Sequence, residues 1–366
     1  MTSINWGILG TGYVAKQFAQ GLQQLPYAKL LAVGSRQLET AQQFAQAFQV
    51  PRSYHSYEAL VQDKEIDIVY IATPNTEHYE HCLLSLQAGK AVLCEKPFTL
   101  NAQQAREVIA VARTQKLFCM EALWTRFLPL MQQLPLLLKA DVIGEVKLLI
   151  ADFGLRLKFN PQDRRFNPAL GGGALLDLGI YPIALASYLC GRPTTIHSHS
   201  LIGNSQVDEQ TTMMLGHAQG TQALLTCSFL TTSPQEALLL GTHGRLKIHA
   251  PLYRPAKLSI QSFSEIDPTL TGGHRGGIVS RLKQWRVVRT VYNNLVSWRP
   301  QSTSKTFAYQ GNGYHYEAAE AMRCLQQGLL ESQIMPLAES LSILETLDTI
   351  RAQANFKYPI EITEQL

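Results

Sequence analysis

The feature that most narrows the fold is a glycine turn near the start of the chain. Asn5 to Gly10 reads as a short buried strand, Gly10-Thr11-Gly12-Tyr13-Val14-Ala15 follows, and an amphipathic helical stretch runs on to about Leu25. Each small residue has a reason at its place. Gly10 permits a tight turn, Gly12 lets the backbone approach a pyrophosphate, and Ala15 allows close packing of helix on strand. Amides at the start of the helix then face the phosphates. A chance glycine turn is the plainer reading of such a motif. In a strand–turn–helix at this position it favours dinucleotide binding.

The same alternation continues. A second strand over 29–34, a helix over 39–48, a strand over 66–72, a helix over 77–88, a strand at Val92, a helix over 102–116 and a strand over 118–122 follow in turn. Strands alternating with helices predict a parallel sheet with crossovers. The second strand ends in Gly34-Ser35-Arg36, without the Asp or Glu that bonds both ribose hydroxyls of NAD. Ser35 can donate to a 2′-phosphate and Arg36 can supply a charge-assisted contact, so the expected cofactor is NADP(H). The plainer alternative makes Arg36 a surface arginine leading into the next helix. Thr73-Pro74-Asn75 falls at a strand's carboxyl end, beside the expected cofactor, and His78 is either a ligand contact or a first-turn helix residue. Val92-Leu93-Cys94-Glu95-Lys96-Pro97 sets an amine at another strand end, where open α/β sheets place their ligands.

Beyond Trp124 the texture changes. A strand over 144–157 is followed by Gly171-Gly172-Gly173 and a helix over 174–189. Extended segments come next at 194–201, 210–215, 223–229, 237–241, 246–249 and 258–263. Strands without intervening helices predict a mostly antiparallel sheet. Two helices, over 316–327 and 337–354, close the pattern. The expectation is an α/β chain: a Rossmann domain over 1–122, then a domain over 123–366 for substrate binding and oligomerisation. An insertion falls at about 270–305, and the final helices are expected to pack back on the first domain.

On a helix, Asp177 and Tyr181 share a face. A tyrosine's ordinary pKa of about 10 is too high for easy proton transfer at neutral pH, and a nearby cation such as Lys96 lowers it. Lys96 and Tyr181 therefore form a coherent acid–base unit if they meet; otherwise Tyr181 is a residue packed on an amphipathic helix.

Composition excludes some classes. The chain has 366 residues, 32 Lys and Arg against 28 Asp and Glu, and a net charge of +4, which is small for its length and argues against a dedicated nucleic-acid binder. Six scattered cysteines show no C-x-x-C or C-x-x-H spacing, so reduced buried thiols in a cytoplasmic protein are expected and a metal site is not. The first residues lack a signal peptide's pattern, and no apolar run approaches the roughly 20 residues that span a bilayer.

Gly10-Thr11-Gly12-Tyr13-Val14-Ala15, Glu95-Lys96-Pro97, residues 120–127 (MEALWTRF) and residues 171–181 (GGGALLDLGIY) resemble the Gfo/Idh/MocA oxidoreductase family. Within it they are most similar to the branch of dihydrodiol dehydrogenases and NADP-dependent D-xylose dehydrogenases. The resemblance implies a Rossmann domain and a second domain with an open sheet that commonly serves for oligomerisation. It gives Lys96 a contact with nicotinamide ribose and substrate, and gives Tyr181 the acid–base role. Asp177, Trp124 and Arg126 match positions lining the substrate pocket, with Phe153 a weaker candidate. Pro97 is expected to follow a cis bond. The activity implied is hydride transfer between NADP(H) and a sugar or cyclic diol. The alternative is a regulatory NADP-binding protein without turnover.

One stretch departs from the family's pattern. Between Leu270 and Lys305 the chain carries Arg275, Arg281, Lys283, Arg286, Arg289, Arg299 and Lys305, and no Asp or Glu falls between Asp267 and Glu317. Ile278, Leu282, Trp285, Val288, Tyr292 and Leu295 keep helical spacing. This stretch reads either as a basic amphipathic helix touching an anionic surface or as an insertion packed on the sheet or a neighbouring subunit.

Overall fold

The computed structural model describes residues 3–263 and 302–363, which build two sheets. The first has six parallel strands: β1 (Ile4–Leu9), β2 (Ala28–Gly34), β3 (Arg52–Tyr54), β4 (Ile68–Ile71), β5 (Ala91–Glu95) and β6 (Cys119–Ala122). Their order is β3-β2-β1-β4-β5-β6. Strands β4 and β5 are buried at every residue, as in a sheet covered by helices on both faces. The crossovers are α1 (Tyr13–Leu22), α2 (Leu38–Phe48), α3 (Tyr57–Val61), α4 (His78–Gln87) and α5 (Ala102–Gln115). On α1 the residues Ala15, Phe18, Ala19 and Leu22 are buried, the i, i+3, i+4, i+7 stripe of a helix lying on a sheet. Phe18 stacks on Tyr70 of β4 with ring centroids 3.5 Å apart. Strand order reverses between β1 and β4. The crevice at their carboxyl ends is where such sheets bind ligands.

The second sheet has eight strands: β7 (Val146–Gly154), β8 (Pro193–Ile202), β9 (Asp208–His217), β10 (Gln222–Ser228), β11 (Ala237–Gly241), β12 (Gly244–Ile248), β13 (Lys257–Ser262) and β14 (Ser302–Thr306). Their order is β14-β13-β12-β11-β7-β10-β9-β8, with β7 and β10 parallel and every other neighbouring pair antiparallel. Between the sheets run a 3₁₀ turn (Trp124–Phe127) and α6 (Pro129–Lys139). A π-helical turn (Leu175–Gly179) leads into α7 (Ile180–Cys190), which packs on β7 and β10. Among the described residues, the opposite face is open. There Leu224 pairs in register with Met214 and with Ile150, and these side chains are 40%, 45% and 38% exposed.

The helices α8 (Tyr314–Gln326), α9 (Leu337–Gln353) and α10 (Pro359–Thr363) follow. Before α8, Asn312 Nδ2 donates to the Gln17 carbonyl at 2.7 Å; on α9, Asp348 accepts from the Ala102 amide at 2.8 Å and Glu345 from Arg106 at 2.6 Å. The last helices thus lie against α1 and α5 of the first sheet.

Three expectations are corrected. The sequence reading missed β3 and α3, which are three and five residues long and too short to show a period. The single helix expected over 174–189 begins as a π-helical turn. One helical run, Pro168–Cys190, is long and apolar enough by length and composition to cross a membrane, yet 83% of an 18-residue stretch of it is buried inside the protein, as in a core helix. Apart from its end in β14, the basic stretch lies outside the described residues.

Candidate active site

A cleft of about 530 Å³ opens at the carboxyl ends of β1, β4 and β5, and the start of α7 forms its far wall. Gly10, Thr11, Gly12, Tyr13, Val14, Ser35, Arg36, Thr73, Pro74, Asn75, His78, Glu95, Lys96, Asp177 and Tyr181 all line it. Two other clefts are larger, about 610 and 670 Å³. Neither touches the glycine turn, and the first is lined by charges that satisfy each other, such as Arg351 with Glu361 and Asp348.

The turn after β1 is shaped for backbone approach. Gly10 has φ +103°, and a Cβ there would lie 2.6 Å from the Ala72 carbonyl oxygen, so only glycine fits. A Cβ on Gly12 would meet nothing within 4 Å. That open space, next to the first amides of α1, is the room a pyrophosphate needs. At the end of β2, the Ser35 hydroxyl bonds Thr40 Oγ1 at 2.6 Å while Arg36 is exposed at the rim. The residues present thus fit a dinucleotide: small and open at the turn, with a cation rather than a carboxylate beyond it.

Lys96 follows β5 directly, and its bond to Pro97 is cis. His78 steadies this corner. It is 1% exposed, with Nδ1 2.7 Å from the Pro97 carbonyl and Nε2 3.1 Å from that of Thr73. Burial outweighs the raising effect of those carbonyls and takes its pKa down to about 4, so the ring is neutral and donates to one of them. Asn75 ties the corner to the other half of the molecule, donating at 3.0 Å to the Gly171 carbonyl. Glu95 is buried: one carboxylate oxygen accepts from the Tyr70 hydroxyl and the other from the Lys96 amide at 3.2 Å. Burial raises its pKa to about 7 against the opposing pull of Tyr70 and Lys96.

Across the cleft, Lys96 Nζ donates to the Asp177 carbonyl at 2.8 Å and to its Oδ1 at 3.2 Å, and lies 5.0 Å from the centroid of the Tyr181 ring. Burial alone would lower the pKa of Lys96, but Tyr181 and Asp177 outweigh it and raise the value. Burial would likewise raise that of Asp177, but Lys96 and then Arg164 lower it, so both groups stay charged. For Tyr181 the balance runs the other way. Burial raises its pKa more than Lys96 and Trp124 lower it, so the expected net lowering does not occur and the hydroxyl keeps its proton. Trp124 Nε1 donates to the Tyr181 oxygen at 3.4 Å. An indole N–H can only donate, so the hydroxyl's own proton remains free to point at a substrate oxygen.

The remaining candidates divide. Trp124 is stacked on Tyr314 at 4.7 Å, and Phe153 lies edge-on to Tyr181 at 5.5 Å, so both back the tyrosine. Arg126, expected to anchor substrate, does not line the cleft. Its guanidinium meets Glu339 at 2.8 Å and lies 3.9 Å over the ring of Tyr188. Because the 3₁₀ turn at 124–127 has about three residues per turn, Trp124 and Arg126 point to different sides. Three residues near Tyr181 escaped the sequence reading: Arg164 and Tyr314, which line the cleft, and Tyr253, stacked on Phe153 at 5.4 Å. They come from a polar loop, a helix start and another loop, and no spacing links them to Tyr181. Among the described residues no group of three His, Cys, Asp or Glu is placed to hold a metal ion.

Comparison with known proteins agrees with this fold. A family model described as "Oxidoreductase family, NAD-binding Rossmann fold" (GFO_IDH_MocA) matches residues 4–123, and the model of the "GFO/IDH/MocA C-terminal domain" matches residues 131–247. The trans-1,2-dihydrobenzene-1,2-diol dehydrogenase of Mus musculus is 34% identical over 362 residues, 98% of each chain. A 3-ketoreductase from Actinomadura kijaniata, solved with NADP and TDP-benzene, superposes with TM-score 0.77 at 24% identity, over 96% of this chain and 98% of that one. The aldose-aldose oxidoreductase from Caulobacter crescentus, complexed with glycerol, superposes with TM-score 0.78 at 20% identity, again over 96% and 98%. At these identities the two structures speak for the fold.

Proposed function

The chain belongs to the Gfo/Idh/MocA oxidoreductase family, and on that premise we propose that it is an NADP(H)-dependent dehydrogenase of a sugar or cyclic diol, of the D-xylose or trans-dihydrodiol kind. The observation that carries this is the meeting of Lys96, Asp177 and Tyr181 in the cleft that also holds the glycine turn.

Gly10, Gly12 and the first amides of α1 would hold the pyrophosphate, Arg36 the 2′-phosphate, and the corner of Thr73, Pro74 and Lys96 the nicotinamide riboside. Bound there, the nicotinamide supplies or accepts the hydride. The protein's own part is the proton. Tyr181, whose hydroxyl keeps its proton, gives it to a carbonyl oxygen as that oxygen becomes an alcohol, and takes it back in the reverse direction. Lys96 holds positive charge beside the phenol oxygen and stabilises the phenolate so formed. The Trp124 indole donates to the same oxygen. Asp177 fixes the ammonium by two contacts, so Lys96 needs no reorganisation as charge develops. Tyr314, which lines the cleft, supplies an aromatic surface suited to a sugar ring or a diene, and Phe153 and Tyr253 pack behind Tyr181. On the open side of the second sheet, Ile150, Met214 and Leu224 form the face through which we propose that copies of the chain associate.

NADP⁺ reduction followed with D-xylose and with a trans-dihydrodiol tests the activity. Tyr181→Phe should abolish turnover and leave NADPH binding intact. Normal turnover in that variant refutes the role of Tyr181.

A further inference from the structure

Arg164 adds a cation to the substrate end of the cleft. It lies on the 3₁₀ turn Arg164–Phe166, its side chain is 50% exposed, and it lines the cleft with Lys96, Asp177 and Tyr181. Its only side-chain partner among the described residues is Asp177 Oδ1, at 3.4 Å. That oxygen already accepts from Lys96 at 3.2 Å, so one carboxylate faces two cations. A charge-assisted N–H···O contact in good geometry is closer to about 2.8 Å, and a guanidinium carries about five donors, so most of the capacity of Arg164 is unused.

The neighbouring carboxylate Asp163 feels the charge of Arg164, but its oxygens are held by Arg165 at 2.9 and 3.1 Å. Both oxygens of Glu95 are engaged by the Tyr70 hydroxyl and the Lys96 amide. Tyr181 keeps its proton. The cation expected to meet the cofactor's 2′-phosphate, Arg36, stands beyond β2, whereas Arg164 contacts the residue one helical turn before Tyr181. A planar fork lining the same cleft as the proton donor, half open to solvent and weakly held, matches a carboxylate or phosphate in two-point geometry.

We infer that the preferred substrate carries an anionic group, a carboxylate or a phosphate, on the ring that presents its oxygen to Tyr181, and that Arg164 binds it. The weak contact with Asp177 is exchanged for a paired one. Sugar acids and sugar phosphates are then preferred over the neutral sugars of the same ring. This rests on the reading of the cleft as a dehydrogenase site, and the test separates the two.

NADPH binding to the wild type is measured first by fluorescence. Its absence overturns the reading of the cleft itself. Dissociation constants of D-glucose, D-glucuronate and D-glucose 6-phosphate are then measured on the enzyme–NADPH complex, for the wild type, Arg164→Ala and Arg164→Lys. At least one anionic sugar should bind about tenfold or more tighter than glucose. The advantage should vanish in Arg164→Ala and return in part in Arg164→Lys, and which anion shows it identifies carboxylate or phosphate. Intact NADPH binding with no anionic preference overturns the inference. So does a preference that survives in Arg164→Ala, or a loss of NADPH affinity in that variant with the preference unchanged, which would assign Arg164 to the cofactor.

Discussion

Lys96 grips Asp177 at two points, its ammonium 2.8 Å from the main-chain carbonyl and 3.2 Å from the carboxylate. One residue follows a strand of the parallel sheet and the other lies on the turn into a helix of the second half. Their contact fixes the ammonium beside Tyr181, and the pH behaviour of the enzyme follows from it.

In the proposed mechanism, oxidation of an alcohol needs the Tyr181 phenolate, whose pKa burial holds above the ordinary tyrosine value while Lys96 opposes the shift. The rate constant kcat/KM for oxidation should therefore climb with pH from 7 to 9, while carbonyl reduction, which uses the protonated form, stays flat. Lys96→Met removes the opposing cation and should move the oxidation curve to higher pH. A limb that does not move in this variant contradicts the coupling of the two residues.

Arg36 is exposed at the rim, beyond a Ser35 whose hydroxyl is held by Thr40. Arg36→Ala should weaken NADPH binding about tenfold or more, and NADH binding far less. Equal losses for both cofactors count against a 2′-phosphate contact.

Arg126 is a packing element. It is 4% exposed and paired with Glu339. Arg126→Ala strands a half-buried carboxylate and should cost about 2–4 kcal/mol in urea unfolding. Arg126→Met combined with Glu339→Leu should recover much of that loss. A fully stable single variant would show the pair to be incidental.

Asp208, 3% exposed, accepts from the Leu175 amide at 2.6 Å through Oδ2, while its Oδ1 has no hydrogen-bond partner among the described residues. Burial raises its pKa to about 7, against the lowering effect of that amide. The raised folded-state value means that the folded protein holds this proton more tightly than the unfolded chain. The stability it contributes is full below about pH 4 and is lost as pH rises towards 7. Asp208→Asn keeps an acceptor for Leu175 and removes the titration, so it should gain on the wild type between pH 5 and pH 8. Parallel stability–pH curves for the two proteins would be the wrong outcome.

On the open sheet face, Leu224 lies in register between Met214 and Ile150. Leu224→Lys should lower the mass measured by light scattering without changing NADPH binding. A wild type that is monomeric at high concentration would end the proposal that this face joins copies of the chain.

The sequence revealed most where chemistry is local. The glycine turn, the strand ends at Thr73 and Lys96, and the i, i+4 pair Asp177 and Tyr181 all reached one cleft, because short motifs on regular elements carry their own geometry. What was hidden depended on long-range packing. Nothing near Arg164, Tyr253 or Tyr314 indicates that they stand beside Tyr181. The fate of Arg126 turned on a four-residue 3₁₀ turn with no signature of its own. The pKa of Tyr181 needed the burial that only the folded chain supplies.

The tie from Asn75 to the Gly171 carbonyl, 3.0 Å long, has a consequence for how the molecule responds to its ligands. Together with the Lys96–Asp177 grip it makes the floor of the cleft a seam between the two halves of the chain. A ligand seated there is held from both sides at once and acts as a staple. Calorimetry with saturating cofactor should then show both halves melting together at a higher temperature, rather than a first half stabilised by itself.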